Sequence, residues 1–497
     1  MCDDIIGDLR QDPVGKSVLW IGSPLPGASV IGKLEGAMIM MQSDPKSTNR
    51  KSAQSRALPC VNRSAAGIDV GSASHYVAVP TDRDDQPVRE FAAFTGDLYG
   101  MADWLKSCGI ETVAMESTGV YWIPVFQVLE ERGFEVKLVD ARQLKRVPGR
   151  KTDVADCQWL QQLHSFGLLS GAFRPDDQVC VLRSYMRQRA MLVSYAGQHV
   201  QHMQKALVQM NVQLQHVLTD VTGATGMRII RAILDGERDP QRLAALRDQG
   251  CKNSLAIIAK ALEGDWRAEH LFALQQAVEL VEAYQAKIVA CDARIEAQLR
   301  SFEDRSDGQS PPKGQPSRHD RHDLAFDATA ELFRMTGVDL VAINGLKSHT
   351  VLKVLSETGL DMSKWPTSKH FGSWLGLAPN NRVSGGKVLS RRTVPSANRA
   401  AAALRVAAQA LHHSHSALGA FLRRKAAQIG MPKAITATAY KLARILYSML
   451  TKGTAFVERG QNYYEQQYQE RVLKSLNRRA TELGYCLVKQ EPAVSQG

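Results

Sequence analysis

None of the eight cysteines stands in a Cys-x-x-Cys step, which argues against a zinc ribbon or a disulfide framework and suits a reducing cytoplasm. No G-x-x-x-x-G-K-S/T loop occurs, so nothing points to a nucleoside triphosphate cradle. Long apolar runs are missing too. The stretch at residues 27–41 is short and broken by Lys33 and Glu35, which excludes it as a membrane span. Met1-Cys2-Asp3-Asp4 lacks the basic start of a signal peptide, so a soluble, cytoplasmic protein without a membrane partner is expected. Acid is scarce at one end only. Residues 1–330 hold 38 Lys and Arg against 41 Asp and Glu, whereas residues 331–497 hold 24 against 9. The net positive charge therefore sits in the last third, where it suits contact with a polyanion; a merely soluble basic domain is the plainer reading of the same count.

What is present divides the chain into several units. Residues 1–62, with Pro, Gly, Ser and Lys breaks and no sustained period, read as a disordered leader; Met38, Met40 and Met41 raise a natural start downstream of Met1. Residues 63–175 read as an α/β domain. AAGIDVGSASHYVAVP is a strand, a tight turn and a second strand, and PVREFAAF is a third. A helix capped around Thr95–Asp97, the strand ETVAMES, a helix ended by Gly133, the strand EVKLVD, a helix from ARQLKRV and a helix from about Thr152 to Gly167 follow. A meander that passes into strand–helix alternation predicts an RNase H-like domain. Residues 176–302 carry apolar residues three and four apart over many turns, predicting long paired helices and a coiled coil. Residues 303–325 have the composition of a linker, 326–470 form a second, mainly helical domain, and 471–497 a basic, partly helical tail.

Four carboxylates of the α/β domain stand where carboxylates need a reason. Asp69 interrupts an apolar strand, Glu116 ends another, and Asp153 and Asp156 sit three apart at a helix start, on one side of it. A lone buried carboxylate costs several kcal/mol, so Asp69 and Glu116 need an edge, a partner or a metal. Asp153 also has a plain explanation, since an acid in a first helical turn is favoured by the helix dipole. Brought to one cleft by an RNase H-like fold, the four would repel one another unless cations neutralised them, and two Mg²⁺ ions would do so.

G-I-D-V-G around Asp69, M-E-S-T-G-V-Y-W around Glu116 and K-T-D-V-A-D around Asp153 and Asp156 resemble, in order, the DEDD transposases of the insertion-sequence 110 family, whose catalytic domain is similar to the RuvC resolvase. M-T-G-V-D-L-V-A-I-N-G-L resembles that family's helix-hairpin-helix opening. F-G-S-W-L-G-L-A-P followed by S-G-G resembles its most distinctive block. The resemblance spans roughly residues 65–170 and 330–450. It implies metal binding by Asp69, Glu116, Asp153 and Asp156, a nucleophilic serine at Ser384, and a C-terminal transposase domain. It further implies DNA and a structured guide RNA as partners; because the acids and the serine lie on separate domains, a homodimer or homotetramer is expected. One departure is clear: the family's Lys-x-Gly-Asn step reads Ser-Ala-Asn here, leaving Asn398, Leu404 and Arg405.

From the residues themselves, Ser384-Gly385-Gly386 is a flexible loop among Arg382, Lys387, Arg391 and Arg392, cations able to hold a phosphodiester. By itself a serine before two glycines is a turn residue, and Ser373, Ser390 and Ser396 are competitors nearby. With Asn398 and Arg405, these cations form the candidate nucleic-acid contacts. His412, His413 and His415 read as a solvated helix end, and Tyr463, Tyr464 and Tyr468 as packing residues more than base stackers. The expected activity is Mg²⁺-dependent DNA strand cleavage and joining by a serine nucleophile. A RuvC-like junction endonuclease needing only the acids, and an inactive nucleic-acid binder, are the alternatives.

Overall fold

In the computed structural model, which describes residues 59–117, 119–140, 152–310, 323–395, 398–453, 455–456 and 460–488, the alternating apolar runs at the start become a five-stranded sheet. Strands β1 (Ala65–Val70), β2 (Ser74–Ala78) and β3 (Val88–Ala92) form an antiparallel meander. Strands β4 (Thr112–Glu116) and β5 (Glu135–Val139) add in parallel beyond β1, in the order β3-β2-β1-β4-β5. Parallel neighbours need crossovers, which α1 (Thr95–Ser107) and α2 (Trp122–Glu131) supply. The first helix starts at Thr95 but without the side-chain cap expected of it: Phe94 is the N-cap and makes no such bond. This mixed sheet with its helices is compatible with an RNase H-like fold. Most of the stretch read as a leader, and the helix read from ARQLKRV, lie outside the described residues.

One sheet face, through Ile68, Val77, Val113 and Met115, buries against Leu98, Met101, Leu105, Val125 and Leu129. Helix α3 (Asp153–Ser165) covers the other, where Ala114 and Val139 meet Leu160. It is capped by Thr152, whose side chain accepts from the Ala155 N–H at 3.2 Å. Its depth is set by Gly67: a Cβ there would lie 2.4 Å from the Gln161 backbone nitrogen and 2.5 Å from the Cys157 carbonyl oxygen. At the far end Val61 and Asn62 donate backbone N–H groups to the Ser165 carbonyl, so the last residues of the leader stretch hold the end of α3.

His164 of α3 is 1% exposed and meets Thr112 Oγ1 through Nε2 at 2.9 Å. Burial, with a smaller contribution from the Lys137 charge, lowers its pKa from 6.5 to about 4. The unfolded chain therefore binds the extra proton between those values. Stability from a neutral His164 is complete above pH 6.5 and falls away as pH drops toward 4. We expect His164 alone to remove on the order of 2 kcal/mol by pH 5. Urea titrations of wild type and His164→Gln at pH 7 and pH 5 test this; an equal acid sensitivity in both would disprove it.

Beyond the sheet, α4 (Asp177–Gln209) and α9 (Ala268–Arg300) run antiparallel as the long paired helices expected. Buried residues recur at three and four residue steps, among them Val179, Leu182 and Met186 on one and Val278, Val281, Ile288, Ile295 and Leu299 on the other. Helices α5 (Leu214–Val217), α6 (Ala224–Leu234), α7 (Pro240–Ala245) and α8 (Leu255–Ala261) close a separate core around their distal ends. The proximal ends share a core with the C-terminal helices α10 (Ala328–Thr336), α11 (Ser348–Thr358), α12 (Ser368–Trp374), α13 (Arg399–Ala410), α14 (Ala417–Ile429) and α15 (Met431–Lys452). Helix α16 (Gly460–Glu482) packs on α14.

Composition alone made residues 303–325 a linker, but both ends of that stretch are tied down. The Arg305 N–H donates to the Arg334 carbonyl at 2.7 Å, Leu324 is buried, and Ala325 N–H donates to Asp292 Oδ2 at 3.2 Å. Backbone groups there satisfy a helix end and a buried charge, a use that composition does not reveal. The central residues 311–322 lie outside the described residues.

Candidate active site

Strands β1 and β4 are parallel neighbours with Ile68 opposite Met115, so Asp69 and Glu116 occupy the next step at the C-terminal ends of both. Side chains alternate between faces along a strand. Gly67 and Ala114 lie under α3, and Asp69 and Glu116, two residues further on, share that face. Helix α3 meets Gly67 through Cys157 and Gln161, and its first turn, with Asp153 and Asp156, reaches beyond toward the same strand ends. Electrostatics agree with this placement. The buried Cys157 thiol is pushed up to about 12, first by burial and next by the Asp69 carboxylate, with Asp156 contributing. The Tyr76 phenol, across the ladder from Asp69, is raised chiefly by its hydrogen bond to Glu90, with a smaller contribution from Asp153.

The four acids thus come to one end of one sheet face. Hard carboxylate oxygens are the donor set a divalent cation prefers. Among the described residues, however, no three His, Cys, Asp or Glu side chains close to metal-binding spacing. The framework is assembled without a closed ligand cage.

Ser384 stands apart, on a ribbon between α12 and α13 made of β6 (Arg382–Ser384) and β7 (Lys387–Ser390). The loop read as flexible is a tight hairpin. Ser384 pairs with Lys387, and Gly385 and Gly386 take φ of +54° and +75°, the left-handed pair that a two-residue type I′ turn requires. Ser384, Arg382, Lys387, Arg391 and Arg392 are all exposed. Asn380 N–H donates to the Arg392 carbonyl, and Pro379 bridges to Thr393, holding the base of the ribbon. Asn398 does structural work, its side chain accepting from Ala401 N–H at 3.1 Å as the N-cap of α13. Arg405 is half-buried on the same helix. Of the competing serines, Ser390 accepts from the Arg392 N–H at 3.3 Å, Ser373 lies in α12, and Ser396 is outside the described residues. Tyr464 and Tyr468 pack beneath the Arg424 guanidinium, at 5.2 and 3.6 Å.

One signal in the chain goes beyond the count for its last third. Between Asp361 and Glu458 there is no acid at all, while 15 Lys and Arg fall in the interval, which contains the whole ribbon.

A mixed sheet with acids at its strand ends, attached to a basic helical part, is compatible with a nucleic-acid-processing protein whose first domain is of RNase H type. Two family models sharpen this: a DEDD-type transposase model matches residues 66–212, and that of the transposase IS116/IS110/IS902 family matches residues 339–422. The two matches support a DNA transposase of the IS110 family. No curated protein matches it. The DEDD domain implies dependence on a divalent metal in general terms. No helix among the described residues is long and apolar enough to cross a membrane.

Proposed function

We propose that this transposase cuts and joins the ends of its own insertion element through a transient phosphoserine link at Ser384. The observation that carries the reading is the presentation of Ser384 at the tip of an exposed ribbon, beside Arg382 and Lys387 and with no acid nearby in sequence. The Ser384 oxygen forms a bond to a DNA phosphorus as a phosphorus–oxygen bond to deoxyribose breaks, and the leaving oxygen takes a proton. A hydroxyl of the second strand then attacks the same phosphorus, joining the strands and releasing the serine oxygen, which regains its proton. Arg382, Lys387, Arg391 and Arg392 hold the phosphate and offset its developing charge. Asp69, Glu116, Asp153 and Asp156 would hold Mg²⁺, in our reading two ions. When bound, the metal neutralises the acids and supplies Lewis-acid stabilisation to phosphate oxygens.

Because the acids and the serine lie on separate elements, we assign one working site to two subunits of a homodimer or homotetramer, with the long helix pair as a coiled-coil contact. A guide RNA made by the element, as family resemblance implies, selects the DNA.

The test is a denaturing gel of labelled end DNA incubated with Mg²⁺, the element's flanking RNA and protein. A covalent adduct is expected with wild type, and a loss of at least 100-fold with Ser384→Ala or Asp69→Asn. The distance in sequence and fold between serine and acids favours one other reading, a metal-dependent endonuclease that needs no serine. Full cleavage without an adduct in Ser384→Ala would establish it.

A further inference from the structure

The ribbon that bears Ser384 carries a second feature. Val383 is 57% exposed, Val388 44% and Leu389 69%. Val383 lies directly opposite Val388, so the two share one face, while Arg382, Ser384 and Lys387 share the other. The register shift beside Val383 leaves Leu389 as an unpaired bulge residue. The ribbon pairs with no further strand among the described residues. A two-stranded ribbon wet on both faces is marginal in water, and β-branched residues stabilise strands by packing on something.

What covers the valines must also satisfy the cations around them. The acid-free interval between Asp361 and Glu458 supplies no internal partner for Arg382, Lys387, Arg391 or Arg392 by sequence proximity. DNA answers both needs, with phosphates at the rim of its major groove and thymine methyl groups among the base edges on its floor. The major groove, about 12 Å wide, admits a two-stranded ribbon, and thymine methyl groups make apolar contacts there.

We propose that β6–β7 enters the DNA major groove at the cleavage site, with Val383 and Val388 against base edges while Arg382, Ser384 and Lys387 face the phosphate backbone. The valines then set the depth and register at which Ser384 meets its phosphate. The inference rests on the reading of Ser384 only for where on the DNA the ribbon lies.

The test uses full-length protein, a duplex of the element's end and its flanking RNA. Dimethyl sulfate reports access to guanine N7, which lies in the major groove. Wild type should protect guanines beside the cleaved phosphate. Val383→Thr/Val388→Thr keeps the β-branched shape and should bind about tenfold more weakly with protection lost. Val383→Ile/Val388→Ile should restore both, which separates apolar contact from damage to the ribbon. Ser384→Ala should lose the adduct yet protect the same guanines. If Ser384→Ala keeps the adduct, the catalytic reading fails while the footprint still decides this one. Wild-type binding and protection by the threonine variant would overturn the proposal. So would a change in oligomeric state of that variant without DNA, which would make the valine face a contact between copies of the chain.

Discussion

Gly67→Val is expected to abolish strand cleavage while the helical remainder of the chain stays folded. The Cβ would sit 2.4 and 2.5 Å from backbone atoms of Gln161 and Cys157, separations that real Cβ atoms essentially never show. Backbone of a packed helix cannot rotate aside as a side-chain tip can, so α3 must lift from the sheet. Overpacking of this kind costs about 1–3 kcal/mol and sometimes more. The functional loss should be larger than the stability loss suggests, because α3 carries Asp153 and Asp156 while Asp69 and Glu116 stay with the strands. A displacement near 1 Å can lower a rate by about 100-fold. Gly67→Ala should show the same defect in milder form. Cleavage assays on labelled end DNA, beside thermal unfolding, measure both effects; a Gly67→Val protein with wild-type cleavage would refute the account of how the acids are positioned.

The second large effect lies in the helix pair. Arg189 and Asp292 form an ion pair with both side chains 3% exposed. Arg189 also donates to the Asp323 carbonyl at 3.2 Å, and Asp292 accepts from Ala325 N–H, so the pair fastens α4, α9 and the end of the linker stretch together. Removing one partner strands a buried charge, and Arg189→Met or Asp292→Leu alone should cost about 3–5 kcal/mol. Replacing both should recover most of that loss, because an apolar pair leaves no charge to desolvate. His349 belongs to the same neighbourhood. Its pKa is lowered to about 4, first by burial and next by the Arg189 charge. Urea unfolding of the single and double variants tests the arrangement; single variants within 1 kcal/mol of wild type, on the scale of exposed pairs, would contradict it.

Much of the sheet was legible because its signals are local. Alternation around a Gly-Ser-Ala-Ser turn made β1 and β2, Gly133 closed α2, and Thr152 began α3 by bonding a residue three positions on. Asp69 and Glu116 stood out for the same reason, each interrupting or ending an apolar strand, whereas Asp153 and Asp156 also suit a first helical turn. The hairpin was less so: two glycines announce a turn, but only their positive φ values and the pairing of Ser384 with Lys387 turn a loose loop into a ribbon. Asn398, read as a nucleic-acid contact, also caps a helix, since an Asn before Arg-Ala-Ala-Ala suits either use. The charge of residues 303–325 concealed ends that serve as hydrogen-bond partners for buried groups.

The sequence by itself determined the five strands of the sheet, the long helix pair, their order and the concentration of positive charge in the last third. These depend on residues within a turn of one another, or on counting. Tertiary structure alone decided that Asp69 and Glu116 point to the face covered by α3, that Gly67 sets the approach of that helix, and that Arg189 meets Asp292. Those facts join positions such as Ala65 and Gln161, 96 residues apart, and Arg189 and Asp292, 103 apart. Register and burial choose such partners by excluding water and filling volume over the whole core at once, and no local pattern carries that information.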